Sequence, residues 1–330
     1  MFHSLRRSTQ TRRRAASHCR LEELECRRLL TSYAPPSGDA SVTVENGDIL
    51  VDNPQGLHVS SNGDEIVFSV TLTNGSVTVN GESEFRIDAD QFTGDMHVTG
   101  GYVFAADAMD VPGDFTITDT VGWVNVSGLN VEGDFDSGLG ARDMSITDSR
   151  IRGSLIDRSS GFDPFPFTRY HLRVLDSTVG TDFKVVGNPD GTGVQIYGSV
   201  VHGRTTIRTG FGEDRIAISE SHFEDQVFVN MGSGHDEFAS EDSEFASPLQ
   251  VRGGKGKDEV ESTSDSFVSR VHFSGGNGQD YISVVAPTFW GAERHELFER
   301  LTIRGDGGHD NFALHDPMVT VSRFTGFNRR

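Results

Sequence analysis

A five-residue pattern, Gly-x-Gly-x-Asp, recurs every 22 residues in this chain: Gly210 to Asp214, Gly232 to Asp236, Gly254 to Asp258 and Gly276 to Asp280. The four aspartates keep that spacing without slippage, and a looser fifth copy, Asp306-Gly307-Gly308-His309-Asp310, follows after 30 residues. A fixed period of this size points to a repeat architecture, in which each unit stacks on its neighbour to bury a shared core.

The residues between the copies say what kind of unit repeats. Apolar residues alternate just before each motif, as in Val227-Phe228-Val229 and Val271-His272-Phe273, and a second alternating run follows each aspartate, as in Ile216-Ala217-Ile218. A third apolar position returns at Val179, Val201, Phe223, Phe245 and Phe267. Alternation in β-branched and aromatic residues bounded by glycine reads as short strands. Three short strands per 22 residues describe one coil of a single-stranded, right-handed parallel β-helix, each coil advancing the stack by about 4.8 Å. Equivalent side chains then form ladders, and the aspartates fall in one column along an edge.

Weaker turns continue upstream. Val111-Pro112-Gly113-Asp114-Phe115, Val131-Glu132-Gly133-Asp134-Phe135 and Ile151-Arg152-Gly153-Ser154-Leu155 are 20 residues apart, and read as the same coil. Residues 40–90 keep the alternation but lose clear register. The expectation is an all-β solenoid over residues 35–325 with ten to twelve coils of 20–22 residues, clearest at 177–283, followed by a short tail at 326–330. No apolar run approaches the 18 residues that suggest a membrane helix.

Residues 1–34 are different in kind. The first 31 carry eight arginines against three glutamates and lack the apolar stretch of an ordinary secretory signal. Arg20-Leu21-Glu22-Glu23-Leu24-Glu25-Cys26-Arg27-Arg28-Leu29-Leu30-Thr31 resembles the Leu-Glu-x-Leu-Glu-x-Arg-Arg-Leu-Leu-Ser element at the N-termini of large secreted and surface proteins of planctomycete bacteria, with Thr31 where serine is usual. The resemblance implies a secreted or cell-surface location. A short amphipathic helix without targeting value is the alternative. Both cysteines, Cys19 and Cys26, lie in this segment, so its removal would leave neither a disulfide nor a thiol nucleophile.

The Gly-x-Gly-x-Asp copies resemble the calcium-binding nonapeptide Gly-Gly-x-Gly-x-Asp-x-apolar-x of RTX proteins. Gly253 to Val260 and Gly275 to Ile282 match it fully, whereas Thr209 and Met231 replace the first glycine in the two earlier copies. The resemblance implies calcium as a cofactor and Asp214, Asp236, Asp258, Asp280 and Asp310 as ligands. Calcium takes six to eight oxygens, which stacked turns can supply. RTX motifs recur every nine residues and line both edges of a coil; one motif per 22 residues leaves a single edge for ions. The competing reading is that glycine and aspartate simply suit a tight corner, glycine through positive φ and aspartate by bonding nearby amides. An uncompensated aspartate column nevertheless repels itself.

Two insertions interrupt the coil, and solenoid insertions map to surface loops where binding occurs. One runs from Asp157 to His171 and offers Phe165, Arg169 and Tyr170; the other runs from Ala286 to Arg300 and offers Trp290 and Arg294. Aromatics beside acids and arginine suit sugar binding, although they equally cap an exposed core. The net charge is −20 and only three lysines occur, Lys184, Lys255 and Lys257, which argues against nucleic-acid binding. No nucleophile elbow, phosphate loop, zinc spacing or nucleotide fingerprint appears. Paired carboxylates of the glycosidase kind are cheap among 49 acids, Asp134 with Asp136 or Asp114 with Asp134 for example. The leading expectation is a non-catalytic, calcium-stabilised structural or adhesion module of the cell surface or matrix, partnered by surface polysaccharide or other matrix proteins. The alternative is a polysaccharide lyase, glycosidase or carbohydrate-binding module that uses an insertion loop.

Overall fold

A computed structural model describes residues 39–52, 55–70, 78–101, 103–119, 122–138, 143–158, 170–187, 189–285, 288–289, 301–308, 310–315 and 323–325. They belong to one compact unit, Gly38–Arg330. The basic N-terminal segment with Cys19 and Cys26 lies outside the described residues, as do Phe165, Arg169, Trp290 and Arg294.

The chain winds as the 22-residue period predicts. One coil runs through Thr205–Arg208, Arg215–Ser219 and His222–Phe223, then returns at Val227–Gly234 directly above its starting strand. Among the described residues, repetition of this path together with a few antiparallel strands at its start builds three sheets of 14, 13 and 9 strands, called here the first, second and third. Among the described residues the nine strands of the third sheet mark nine coils with all three faces, each strand pairing in parallel with its equivalents on either side. The result is a parallel β-helix.

Alternation along each strand decides what goes inside. In Thr205–Arg208 the first and third residues are buried and the second and fourth face outward; in Arg215–Ser219 and His222–Phe223 the alternation continues with the second and fourth positions, Ile216, Ile218 and Phe223, buried. Equivalent inward residues therefore stack into columns, such as Ile207, Val229, Val251, Phe273 and Ile303. The third apolar position forms another column, in which the rings of Phe223 and Phe245 stack with centroids 5.3 Å apart and those of Phe245 and Phe267 at 5.6 Å. Each such side chain contributes about 1.5–3 kcal/mol by leaving water.

Two expectations need correction. Residues 41–88 do not form regular coils. Ser41–Glu45 pairs antiparallel with Asp48–Asp52, and Gln55–Ser61, Glu65–Val70 and Glu84–Asp88 form an antiparallel meander at the start of the second sheet. Period-two alternation is common to parallel and antiparallel strands, so the pattern alone could not separate them. The meander consumes chain that would otherwise coil, and the described coils number nine instead of ten to twelve. Secondly, the upstream Gly-Asp turns are a different corner. Gly113-Asp114 and Gly133-Asp134 precede first-sheet strands and join the third sheet to the first, whereas Gly-x-Gly-x-Asp joins the first to the second.

The stacked phenylalanine column makes a sharp stability prediction. Phe245→Ala should cost about 3–5 kcal/mol in urea-induced unfolding. Phe211→Ala, at a side chain 67 % exposed, should stay within about 0.5 kcal/mol.

Candidate functional site

Each corner interrupts the strand ladder and leaves backbone N–H groups that burial will not tolerate unpaired. The Gly-x-Gly-x-Asp corner solves this in two ways. Its glycines extend the parallel pairing around the bend, with Gly232 opposite Gly254, Ser233 opposite Lys255 and Gly234 opposite Gly256. Successive turns approach so closely that a Cβ on Gly256 would sit 1.5 Å from the Gly234 carbonyl oxygen, a contact only glycine permits. The aspartate then closes the corner. Asp236 Oδ1 accepts from the Asp214 amide at 3.0 Å, Asp258 Oδ1 from Asp236 at 3.1 Å, Asp280 Oδ1 from Asp258 at 3.0 Å and Asp310 Oδ1 from Asp280 at 3.0 Å. The column begins with Asp214, whose Oδ1 accepts from the Thr192 amide at 2.6 Å.

All five predicted ligands are thus brought together in one buried column, and each spends one oxygen on the preceding coil's backbone. The second oxygens differ. Asp214 Oδ2 accepts from the Thr209 hydroxyl, which also reaches the Met231 carbonyl. Oδ2 of Asp236, Asp258, Asp280 and Asp310 is buried without a hydrogen-bond partner. Where the sequence has glycine in place of Thr209 no such hydroxyl is available: a Cβ placed on Gly253 would lie 2.6 Å from Asp258 Oδ2 and 2.4 Å from the Gly275 carbonyl oxygen. Loss of hydration therefore makes the charged form costly. Burial pushes Asp236 up to about 7, with the neighbouring Asp214 and Asp258 adding to the effect, and pushes Asp214, Asp258 and Asp280 up to about 6. Set against calcium's six to eight oxygens, the Gly253 copy offers one Oδ2 near the Gly275 carbonyl and the Gly275 copy one Oδ2, and water would have to complete either shell. No group of three or more His, Cys, Asp or Glu positioned to hold a metal occurs among the described residues.

The other two corners carry ladders of their own. At the third-to-first corner the direction reverses: Asp95 Oδ1 accepts from the Asp114 amide and Asp114 Oδ1 from the Asp134 amide, both at 2.8 Å. The carboxylate pair Asp114 and Asp134 is therefore part of a backbone cap. At the second-to-third corner serines do the work. The amides of Ser177, Ser199 and Ser221 donate to the hydroxyls of Ser199, Ser221 and Ser243 at 3.1–3.2 Å, and each of these hydroxyls donates to the carbonyl two residues back. Asp265 ends that column by accepting from the Ser243 amide and from the hydroxyls of Ser240 and Ser262. The serine ladder was legible as Ser199, Ser221 and Ser243 at the same 22-residue period, each following a residue of positive φ in Gly198, Glu220 and Asp242.

Of the insertion-loop candidates, Tyr170 is described: its hydroxyl accepts from Arg215 Nε at 3.0 Å and the Arg215 guanidinium lies over its ring at 5.8 Å. Beside it is a buried polar node that the sequence reading missed. Asp157 is fully buried at a core-facing position; its Oδ1 accepts from Ser137 Oγ at 2.5 Å, and its Oδ2 lies 3.0 Å from His171 Nε2. His171 Nδ1 accepts from the Gly193 amide at 3.0 Å, so Nε2 carries the proton that Asp157 receives. A nucleophilic triad needs histidine between hydroxyl and carboxylate. Here the carboxylate stands in the middle and both imidazole nitrogens are engaged.

Comparison with known proteins finds no matching family model, curated protein or solved structure.

The aspartate column predicts a distinctive pH response. Folded-state values above the ordinary 3.8 mean that the fold binds more protons than the unfolded chain between about pH 4 and pH 7. This contribution to stability is complete at low pH and disappears as pH rises through 6–7. Asp258→Asn keeps the Oδ1 acceptor and removes the charge; it should match or exceed the parent's melting temperature at pH 8 and flatten the decline between pH 5 and 8. Asp258→Ala strands the Asp236 amide and should cost about 1–3 kcal/mol at either pH.

Proposed function

We propose that this chain is a non-catalytic structural or adhesion module of a cell surface or extracellular matrix. The observation that carries this reading is the assignment of its acids: the laddered carboxylates at two of the three corners serve as backbone caps. Enzymes of the glycosidase class need two carboxyl groups free to face a substrate. Here Asp114 and Asp134 each commit Oδ1 to the amide of the next coil, and the first-to-second corner aspartates are buried. Regular ladders on every corner suit a rod that holds surfaces at fixed spacing. The secreted or surface location rests on the resemblance of residues 20–31 to a planctomycete export element.

Calcium stabilisation belongs to the same proposal and rests on the four orphan Oδ2 atoms at one-coil spacing. A cation held against them would relieve their mutual repulsion and couple entry into calcium-rich water to a tighter fold. The alternative, a polysaccharide-active enzyme or binding module working through an insertion loop, draws on the buried Ser137–Asp157–His171 node beside the 157–171 insertion. Its closed hydrogen bonding favours a role in holding the coil where the insertion departs.

Two measurements test this reading. In millimolar calcium the full chain should melt higher than in excess chelator at pH 8, where the column is charged, and the difference should shrink at pH 5; equal melting at pH 8 would remove calcium from the proposal. Incubation with uronate-containing and neutral polysaccharides should release neither reducing ends nor unsaturated uronate. Release of either, abolished by Asp157→Asn, would establish the enzyme reading instead.

A further inference from the structure

The outward face of the first sheet departs from the rest of this acidic molecule. Over the six strands that begin at Phe183, Thr205, Val227, Leu249, Val271 and Leu301, the outward positions of the first four residues form two columns. One column reads Val186, Arg208, Asn230, Arg252, Ser274, Arg304, in unbroken register. The other reads Lys184, Thr206, Phe228, Gln250, His272, Thr302. No acid occurs in either, in a chain with 49. The corner that follows this face carries Lys255 and Lys257, so all three lysines of the chain lie on one strip. Acids flank the face at its bends: Asp182, Glu224 and Asp225 on the side where the strands begin, and Asp190, Glu213 and Asp306 on the side where they end, Asp306 accepting from Ser274 Oγ.

The spacing is as informative as the charge. Arginine recurs on alternate coils, and two coils advance the stack by about 9.5 Å. Arg208, Arg252 and Arg304 are all exposed. Neutral side chains occupy the coils between them: Asn230 is half-buried, and Ser274 is buried with its hydroxyl donated to Asp306. Arg208 and Arg252 flank the Phe228 ring, with guanidinium carbons 5.8 and 5.5 Å from its centroid, which fixes the two forks relative to one another. Burial, and then Arg304 and Arg252, push His272 below its ordinary value, as expected on an electropositive surface.

We propose that this face binds a linear anionic polysaccharide, carboxylated or sulfated, laid along the stacking axis with its anionic groups on Arg208, Arg252 and Arg304. Guanidinium forks match carboxylate and sulfate geometry through paired hydrogen bonds. A polymer whose anionic groups recur at about 9.5 Å meets an arginine at each of them, with uncharged coils at Asn230 and Ser274 between. Single-stranded nucleic acid fits less well, because its bases need a succession of open aromatic platforms and Phe228 is flanked by cations. A second copy of the chain could offer the second-sheet glutamates Glu237, Glu241, Glu259 and Glu261. These lie on adjacent coils, and Glu237 is already paired with Arg215 at 2.7 Å. The inference rests on the reading of the chain as a non-catalytic binding or structural module, and names the ligand class and the face.

The test uses the full chain with polygalacturonate, dextran sulfate, uncharged dextran and oligo-dT as probes, by calorimetry and affinity electrophoresis. Polygalacturonate, dextran sulfate or both should bind, more weakly as salt rises, while dextran does not. The variant R208S/R252S/R304S should bind at least about tenfold more weakly, with an unchanged melting curve because all three side chains point outward. If that variant melts early, Arg252→Gln alone should still weaken binding and leave melting intact. Failure of both polyanions to bind, undiminished binding by the variants, or tighter binding of oligo-dT would overturn the proposal. So would self-association that the triple variant abolishes without any polymer binding. Binding accompanied by cleavage would uphold this face while overturning the non-catalytic reading, so the two fail separately.

Discussion

The backbone amide left over at each bend is the constraint on which this structure depends. Strand pairing satisfies the flat faces without help, since every coil donates to and accepts from its neighbours. The bends break that pairing three times per coil, and where a bend is buried an unpaired amide costs about 1–3 kcal/mol. Along much of the stack such a bend is closed by a side-chain oxygen from an adjacent coil: a buried aspartate at the first corner from Asp214 onward, a serine at the second, and an aspartate near the surface at the third in the earlier coils. The chemistry follows the setting. Where the bend is half in water a carboxylate such as Asp114 stays hydrated while it caps. Where it is sealed, a hydroxyl does the same work without charge, and the buried aspartate column is the exception that carries an electrostatic penalty.

That penalty also explains why this one corner attracts functional interest. Asp214 and Asp258 occupy equivalent places, yet the Thr209 hydroxyl reaches the second oxygen of the first, and Gly253 leaves the second oxygen of the other without a partner. A single threonine-to-glycine difference between coils separates a closed hydrogen-bond arrangement from an open one. Every copy that lacks a hydroxyl at that place, Met231 as well as Gly253 and Gly275, leaves a carboxyl group that stands to gain from a proton or a cation, and Asp236 beside Met231 is pushed furthest, to about 7.

Much of this was legible in the sequence. The 22-residue period located the strands of residues 177–283, the phenylalanine column and the five aspartates, because stacking forces equivalent residues into equivalent environments. What the period could not convey was the identity of a bend. Gly113-Asp114 and Gly254-x-Gly256-x-Asp258 look alike as glycine followed by aspartate, yet they close different corners and their ladders run in opposite directions along the chain. Serine is too common to draw attention, and Ser199, Ser221 and Ser243 stand out once the positive-φ residue before each is known. Asp157 escaped notice because it occupies a core-facing position where its neighbours in the column are Ser137 and Val185.

The inner ladders and the outer face form one system. A slip of a single residue would turn every outward side chain of a strand inward, and the corner aspartates and serines, pinned coil to coil, oppose such a slip. The insertion after Val285 illustrates the point. Thirty residues separate Ser274 from Arg304 where 22 would suffice, yet Arg304 enters the same column as Arg252, because the surplus lies beyond the second-sheet strand Tyr281–Val285 and the first-sheet register resumes intact. A surface that presents cations at every second coil needs this kind of interior: the comb on the outside keeps its pitch because the amides inside have only one partner to choose.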